Sequence, residues 1–102
     1  MIKQVYDIIK TEDTINIVKN DKVIYSIKVA EKSINLQKLY NEMNISIEDE
    51  IVVKKNFDKI DEPKTDVDRL YNNAIDFINR LLFSVNEKLK VLRESRQDSI
   101  FD

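Results

Sequence analysis

Residues 14–29 read TINIVKNDKVIYSIKV, and this stretch decides the fold. Val23, Tyr25, Ile27 and Val29 alternate with Ile24, Ser26 and Lys28, the period-two pattern of a strand with one apolar face. Ile15 and Ile17 alternate in the same way, and Asn20-Asp21 between the two runs marks a turn. A two-residue loop at Asn20-Asp21 sets Ile17 opposite Ile24 and Ile15 opposite Ser26, which mixes the faces. A three-residue loop that includes Lys22 sets Ile17 opposite Tyr25 and Ile15 opposite Ile27, which gives one apolar face and is preferred. Such a loop needs a residue in the left-handed region, and Asn20 or Asp21 is the expected occupant.

Working outward, Ile2, Val5, Tyr6 and Ile9 fit a helical spacing, while the β-branched content of residues 2–10 fits a strand. The reading adopted is the first strand of a three-stranded meander, with Thr11-Glu12-Asp13 as the break. Beyond the hairpin a short helix starts at Ser33 or Asn35 and ends near Asn44. Leu36, Leu39, Tyr40 and Met43 lie on its one apolar face. Residues 46–60 carry two signals. Ile51-Val52-Val53 reads as a strand near 50–55, whereas Ser46 followed by Asp49, with Lys54-Lys55 downstream, reads as a helix start and end. Asp61-Glu62-Pro63-Lys64 is a connector holding the chain's one proline.

The strongest periodicity follows. Thr65 and Asp68 have capping-box spacing, and Tyr71, Ile75, Ile78, Leu82, Val85, Leu89 and Leu92 recur at steps of three and four. A second stripe of Val67, Leu70, Ala74, Phe77 and Leu81 runs beside the first half only. The expectation is a long helix within 65–97, about 45 Å over residues 66–95. Its first half should be buried on a wide face, and its second half should project as a narrow seam that packs on another chain. The fold class is therefore α+β: an N-terminal antiparallel hairpin or meander, a short helix, a further strand in one reading, and a long C-terminal amphipathic helix. Residues 1–62 and 65–97 are two parts of one domain, since 102 residues form one core rather than two.

Composition removes most chemistry. The chain has no Gly, no Cys and no His. Disulfides, thiolate nucleophiles and Cys zinc sites go with Cys, and Ser-His and Cys-His catalytic arrangements go with His. The phosphate-cradling P-loop, the dinucleotide fingerprint and the EF-hand loop go with Gly. No cofactor and no metal site are expected. An enzyme built on carboxylates, Tyr or Lys would be the exception, and no spacing in the chain marks a catalytic residue. No signal peptide or membrane-length apolar run is found, and a Cys-free chain fits a reducing cytoplasm.

Seventeen basic and nineteen acidic residues leave a net charge of −2. No basic stripe suited to phosphates stands out. Glu48-Asp49-Glu50 and the Asp58, Asp61, Glu62 group are read as solvated acids, and Asp76–Arg80 as a surface i,i+4 pair. Phe83 lies off both apolar stripes, and Ile100-Phe101 follow a polar stretch. Exposed aromatics are favoured interface anchors. The candidate partner-binding residues are therefore Phe83, Val85, Leu89, Leu92, Ile100 and Phe101.

Leu39 to Val53 (LYNEMNISIEDEIVV) resembles the middle of the swapped-hairpin family of AbrB and MazE proteins, within a match of about residues 22–63. Met43-Asn44-Ile45 stand where that family ends its short helix, Glu48-Asp49-Glu50 at its acidic turn, and Ile51 and Val53 in its strand. The chain departs from the pattern in having no Pro before the helix and no Gly in its turns. The resemblance implies a dimer and an antitoxin-type regulator that neutralises a partner protein.

Two functions follow as expectations. The first is a non-enzymatic inhibitor or regulator that binds a partner protein through its C-terminal helix and forms a dimer through that helix. Its size and Lys/Asn/Ile-rich composition associate it with phage and mobile-element products such as anti-CRISPR inhibitors, antitoxins and tail-assembly chaperones. The second is a swapped-hairpin DNA-binding regulator, in which Lys19, Lys22 and Lys28 touch phosphates.

Overall fold

The structure, a computed structural model, describes residues 2–31, 33–54 and 58–101, with side chains described as far as Ser95. Lys55 of the expected strand lies outside these residues. Strands β1 (Ile2–Lys10), β2 (Thr14–Lys19) and β3 (Lys22–Lys28) come first, then helix α1 (Leu36–Met43), strand β4 (Asp49–Val53) and helix α2 (Asp66–Phe101). The sheet order is β3-β2-β1-β4, with the first three strands antiparallel and β4 parallel to β1. This is the expected α+β class.

The hairpin has the expected pairs, Ile17 with Tyr25 and Ile15 with Ile27, but reaches them differently. Lys19 pairs with Lys22 and Val18 with Val23, so the loop is the two-residue Asn20-Asp21 and not a three-residue one. The register then shifts between Ile17 and Val18, leaving Ile24 as the extra residue of a bulge. A two-residue loop matches the twist of the strands, and the bulge restores one apolar face. Both loop residues have positive φ, 52° at Asn20 and 66° at Asp21, as a type I′ turn requires. Asn20 is fastened further: its Oδ1 accepts from Val5 N–H at 2.9 Å and its Nδ2 donates to Gln4 Oε1.

In β1, Tyr6 and Ile8 face the core while Val5 and Ile9 point to the other side, which explains why its apolar residues mimic a helical spacing. In α1, Asn35 is the N-cap, its side chain accepting from Lys38 N–H at 3.0 Å, and Asn44 ends the helix at φ 50°. Two β-strand side chains hold α1 in place. Tyr25 Oη accepts from Asn35 N–H at 3.0 Å, and Lys19 Nζ donates to the Met43 carbonyl. Leu39 and Met43 are buried, whereas Leu36, expected on the same face, is 42% exposed.

Ser46 and Asp49 do bond reciprocally, but they close a turn into β4 instead of opening a helix. Asp49 N–H donates to Ser46 O at 3.0 Å, and Ser46 N–H to Asp49 Oδ2 at 2.8 Å. The strand reading of residues 50–53 is correct, because Ile51 and Val52 pair with Gln4 and Val5.

Thr65 caps α2, accepting from Asp68 N–H at 3.1 Å. Asp68 Oδ2 bonds Lys64 N–H, not Thr65 N–H as a full capping box would. Over its 36 residues α2 is about 54 Å long, matching the molecule's 56 Å long axis. One core cluster joins Tyr6, Ile8, Ile15, Ile17 and Ile27 of the sheet, Leu39 and Met43 of α1, and Val67 to Leu82 of α2. Both helices therefore lie on one face of the sheet.

Among the described residues of this glycine-free chain, three ordinary residues adopt left-handed backbone, Asn20, Asp21 and Asn44. Asp21→Gly and Asn44→Gly should each raise stability by about 0.5–1 kcal/mol, because glycine has no Cβ to crowd there. Asn20→Gly should lower it, since the two side-chain bonds to β1 are lost. Urea denaturation midpoints of the three variants check this ordering.

Candidate functional site

Two regions concentrate polar or exposed groups: a buried junction at Asp49, and the outward faces of α2. Asp49 is almost fully buried at the start of β4. Its Oδ1 accepts from Gln4 Nε2 at 3.1 Å and its Oδ2 from Ser46 N–H. Arg93 reaches across from α2, donating through Nε to the Ile47 carbonyl at 3.0 Å and through Nη2 to the Asp49 carbonyl. Tyr6 stands nearby, 1% exposed, and its hydroxyl has no hydrogen-bond partner among the described residues. Burial, helped by the Asp49 charge, pushes the Tyr6 phenol up to about 12. The phenol of Tyr71 is also raised, chiefly by burial, and Asp68 is held low by its bond to Lys10.

These shifts move each group away from neutrality, which is unlike a proton donor or acceptor tuned for catalysis. The Asp49 junction instead ties the far part of α2 to the sheet. The acidic run 48–50 is thus not a solvated trio, because Asp49 turns inward. Among the described residues no three acidic, His or Cys side chains form a metal-holding group. An open hollow of about 670 Å³ lies at the start of α2 between Lys10, Glu12, Asp13 and Asp66. Its Lys10 is already paired with Asp68.

The sequence-derived candidates separate sharply. Phe83 is 68% exposed, on the side of α2 away from the sheet. Leu92 is partly exposed. Val85 and Leu89 are only 6% exposed within the single chain, so they are not a free seam for a partner. They continue the buried stripe of Ile78 and Leu82, and the Arg93 bonds fasten the helix just beyond them. The helix therefore does not project from residue 85; only the stretch after Arg93 extends past those bonds. Ile100 and Phe101 lie in α2, and their side chains are outside the described residues.

The three lysines do not form one patch. Lys19 is spent on the α1 C-terminus. Lys22 pairs with Lys19 and so shares its face, whereas Lys28 pairs with Thr14 at the other end of β3 and on the other face. Asp76 pairs with Lys59 at 2.6 Å and not with Arg80. Asn72 bonds both backbone groups of Ile60, and so lays the connector along α2.

Sequence reasoning missed Phe77. It belongs to the second apolar stripe, yet is 42% exposed. With Leu36, Arg80, Leu81 and Ser84 it lines an open groove of about 290 Å³ beside the start of α1. The signal was present: the stripe continues into Ser84 and Lys88, which are polar, so this flank leaves the core.

Asp49→Ala should destabilise the fold by about 2–3 kcal/mol, because it strands Ser46 N–H and the Gln4 amide. Asp49→Asn should cost less, and urea unfolding distinguishes the two. Tyr6→Phe should be neutral or stabilising at pH 7, since it removes an unpartnered buried hydroxyl. The raised folded pKa makes the Tyr6 contribution complete below the ordinary 10.0 and lost as pH rises towards about 12. Unfolding free energies measured across that interval should fall more steeply for the parent chain than for Tyr6→Phe.

No family model, curated protein or solved structure matches this chain.

Proposed function

We propose that this chain is a non-enzymatic protein-binding module, an inhibitor or regulator that docks a partner protein on the outward side of α2. The observation that carries the reading is the placement of Phe83. A phenylalanine 68% exposed in mid-helix contributes nothing to the core and leaves a large apolar surface in water. It sits among Asn79, Asn86 and Lys90 on that side, so an apolar anchor is ringed by polar residues, as in the centre of an interface. The buried stripe and the Arg93 bonds hold the helix firm beneath it, which spares a partner the cost of ordering it.

No described helix is long and apolar enough to cross a membrane. Together with the absence of Cys, that supports action in a reducing cytoplasm. Antitoxin, anti-CRISPR and tail-assembly-chaperone roles are members of this class of protein-binding module.

Phe83→Ser tests the reading. Stability should change by no more than about 0.5 kcal/mol, because the side chain is outside the core. Capture from an extract of the source cells should recover one protein in stoichiometric amount with the parent chain. The variant should bind that protein about 30-fold more weakly, the scale of an anchor residue. Equal binding by both chains would place the docking surface elsewhere.

A further inference from the structure

A different side of α2 carries a second conclusion. Successive helical residues point about 100° apart, so Ser84 faces well away from Phe83. On the Ser84 side, Phe77, Leu81, Val91 and Leu92 leave apolar surface exposed or half-exposed. Phe77 and Val91 are each seven residues from Ser84, about 10.5 Å along the axis in opposite directions.

This flank is complementary to itself when reversed. We propose that two copies of the chain pair through it, with their α2 helices antiparallel and the two-fold axis passing at Ser84. In that arrangement residue n of one helix lies opposite residue 168 − n of the other. Phe77 meets Val91 of the second copy, with Leu92 one residue beyond. Ser84 meets itself, and its small side chain lets the helices approach closely. The aliphatic stem of Lys88 covers the second copy's Leu81.

Charge selects this occupant. Arg80 and Glu87 are both exposed, and neither has an ion pair among the described residues. They lie on the same side of the flank, two turns apart. In the antiparallel pairing Arg80 comes within one residue's rise of the second copy's Glu87, and symmetry makes this pair twice. A parallel pairing would instead set Arg80 beside Arg80 and Glu87 beside Glu87. The groove between Leu36 of α1 and Phe77, Leu81 and Ser84 gives the second copy's Val91 and Leu92 a place to enter. An interface between identical chains requires one patch to supply both halves of every contact, and this patch does so. The surface differs from the expected dimer seam, since Val85 and Leu89 take no part in it. It leaves Phe83 open in both copies.

Sedimentation velocity of the full chain reads the outcome. A species of twice the chain mass should dominate at about 100 µM, with single-chain mass recovered on dilution. Arg80→Glu and Glu87→Arg should each weaken pairing by roughly tenfold or more, and the double variant should restore it, because the charges are exchanged symmetrically. The parent chain has no cysteine, so single-cysteine variants report the axis directly. Ser84→Cys should form an intermolecular disulfide under mild oxidation far faster than Phe83→Cys, since a bridge needs Cα atoms within about 7 Å. Circular dichroism confirms that each variant is folded. A parent chain that stays single at about 100 µM overturns the proposal. So does a dimer that the double exchange fails to restore, or one whose Ser84→Cys form links no faster than Phe83→Cys.

Discussion

The arrangement depends on one buried face of α2. Val67, Leu70, Tyr71, Ala74, Ile75, Ile78 and Leu82 seal the core against Tyr6, Ile8, Ile15, Ile17 and Ile27 of the sheet. Full burial of one aliphatic or aromatic side chain contributes about 1.5–3 kcal/mol. Exposed ion pairs such as Lys59–Asp76 and Arg69–Asp66 contribute far less. Burial therefore decides that α2 lies on the sheet, and polar contacts decide where along the sheet it lies. Lys10 of β1 meets Asp68 near the helix start, and Arg93 meets the approach to β4 some 25 residues later. Because β4 runs parallel to β1, these two ties grip opposite ends of the central strand, and α2 must run antiparallel to it.

The lack of glycine shapes the rest of the backbone. Turns that usually rely on glycine use Asn and Asp instead, whose short polar side chains tolerate left-handed backbone. Such residues carry side chains that can be used elsewhere. Asn20 shows the gain, since it closes the hairpin and also bonds Val5 and Gln4 of β1. Gln4 passes the connection on to Asp49, so a turn in the hairpin is linked to the start of β4 through three side chains. The same chemistry gives α1 an asparagine at each end.

Local patterns were legible and long-range ones were not. The alternation in residues 14–29 specified the pairing of Ile15 and Ile17 with Ile27 and Tyr25. It did not specify the bulge at Ile24, because loop length and bulge compensate and leave the same face apolar. Ser46 and Asp49 have the spacing of a helix start because a turn and a capping box share the bond from the first N–H to the later carboxylate; here Asp49 N–H goes to the Ser46 carbonyl instead, and pairing with β1 makes a strand. In α2 the periodicity marks Val85 and Leu89 as a seam for another chain, yet both are buried within this one, because a stripe does not say whose surface covers it. The answer lay in Arg93, whose partners are backbone carbonyls and so leave no mark in the sequence. Asp76 likewise had Arg80 at the right spacing, and the tertiary fold offered Lys59 instead.

What remains after the core is satisfied is a helix with three differently used sides. One side is covered by the sheet and fastened at Arg93. A second, around Phe77 and Ser84, is apolar, carries both charges in matching positions and is bordered by α1. The third presents Phe83 alone among polar residues. Single exposed apolar residues are ordinary on a surface, but one free side of α2 groups Phe77, Leu81, Val91 and Leu92 along its length, and the other carries a phenylalanine in mid-helix. The two proposed contacts rest on these two separate apolar exposures. The self-complementary side suits a second copy of the chain, and the isolated aromatic suits a pocket on something else. Pairing through the Ser84 side would present two Phe83 anchors on one body, so a partner with two matching pockets would be held more tightly than either contact alone allows.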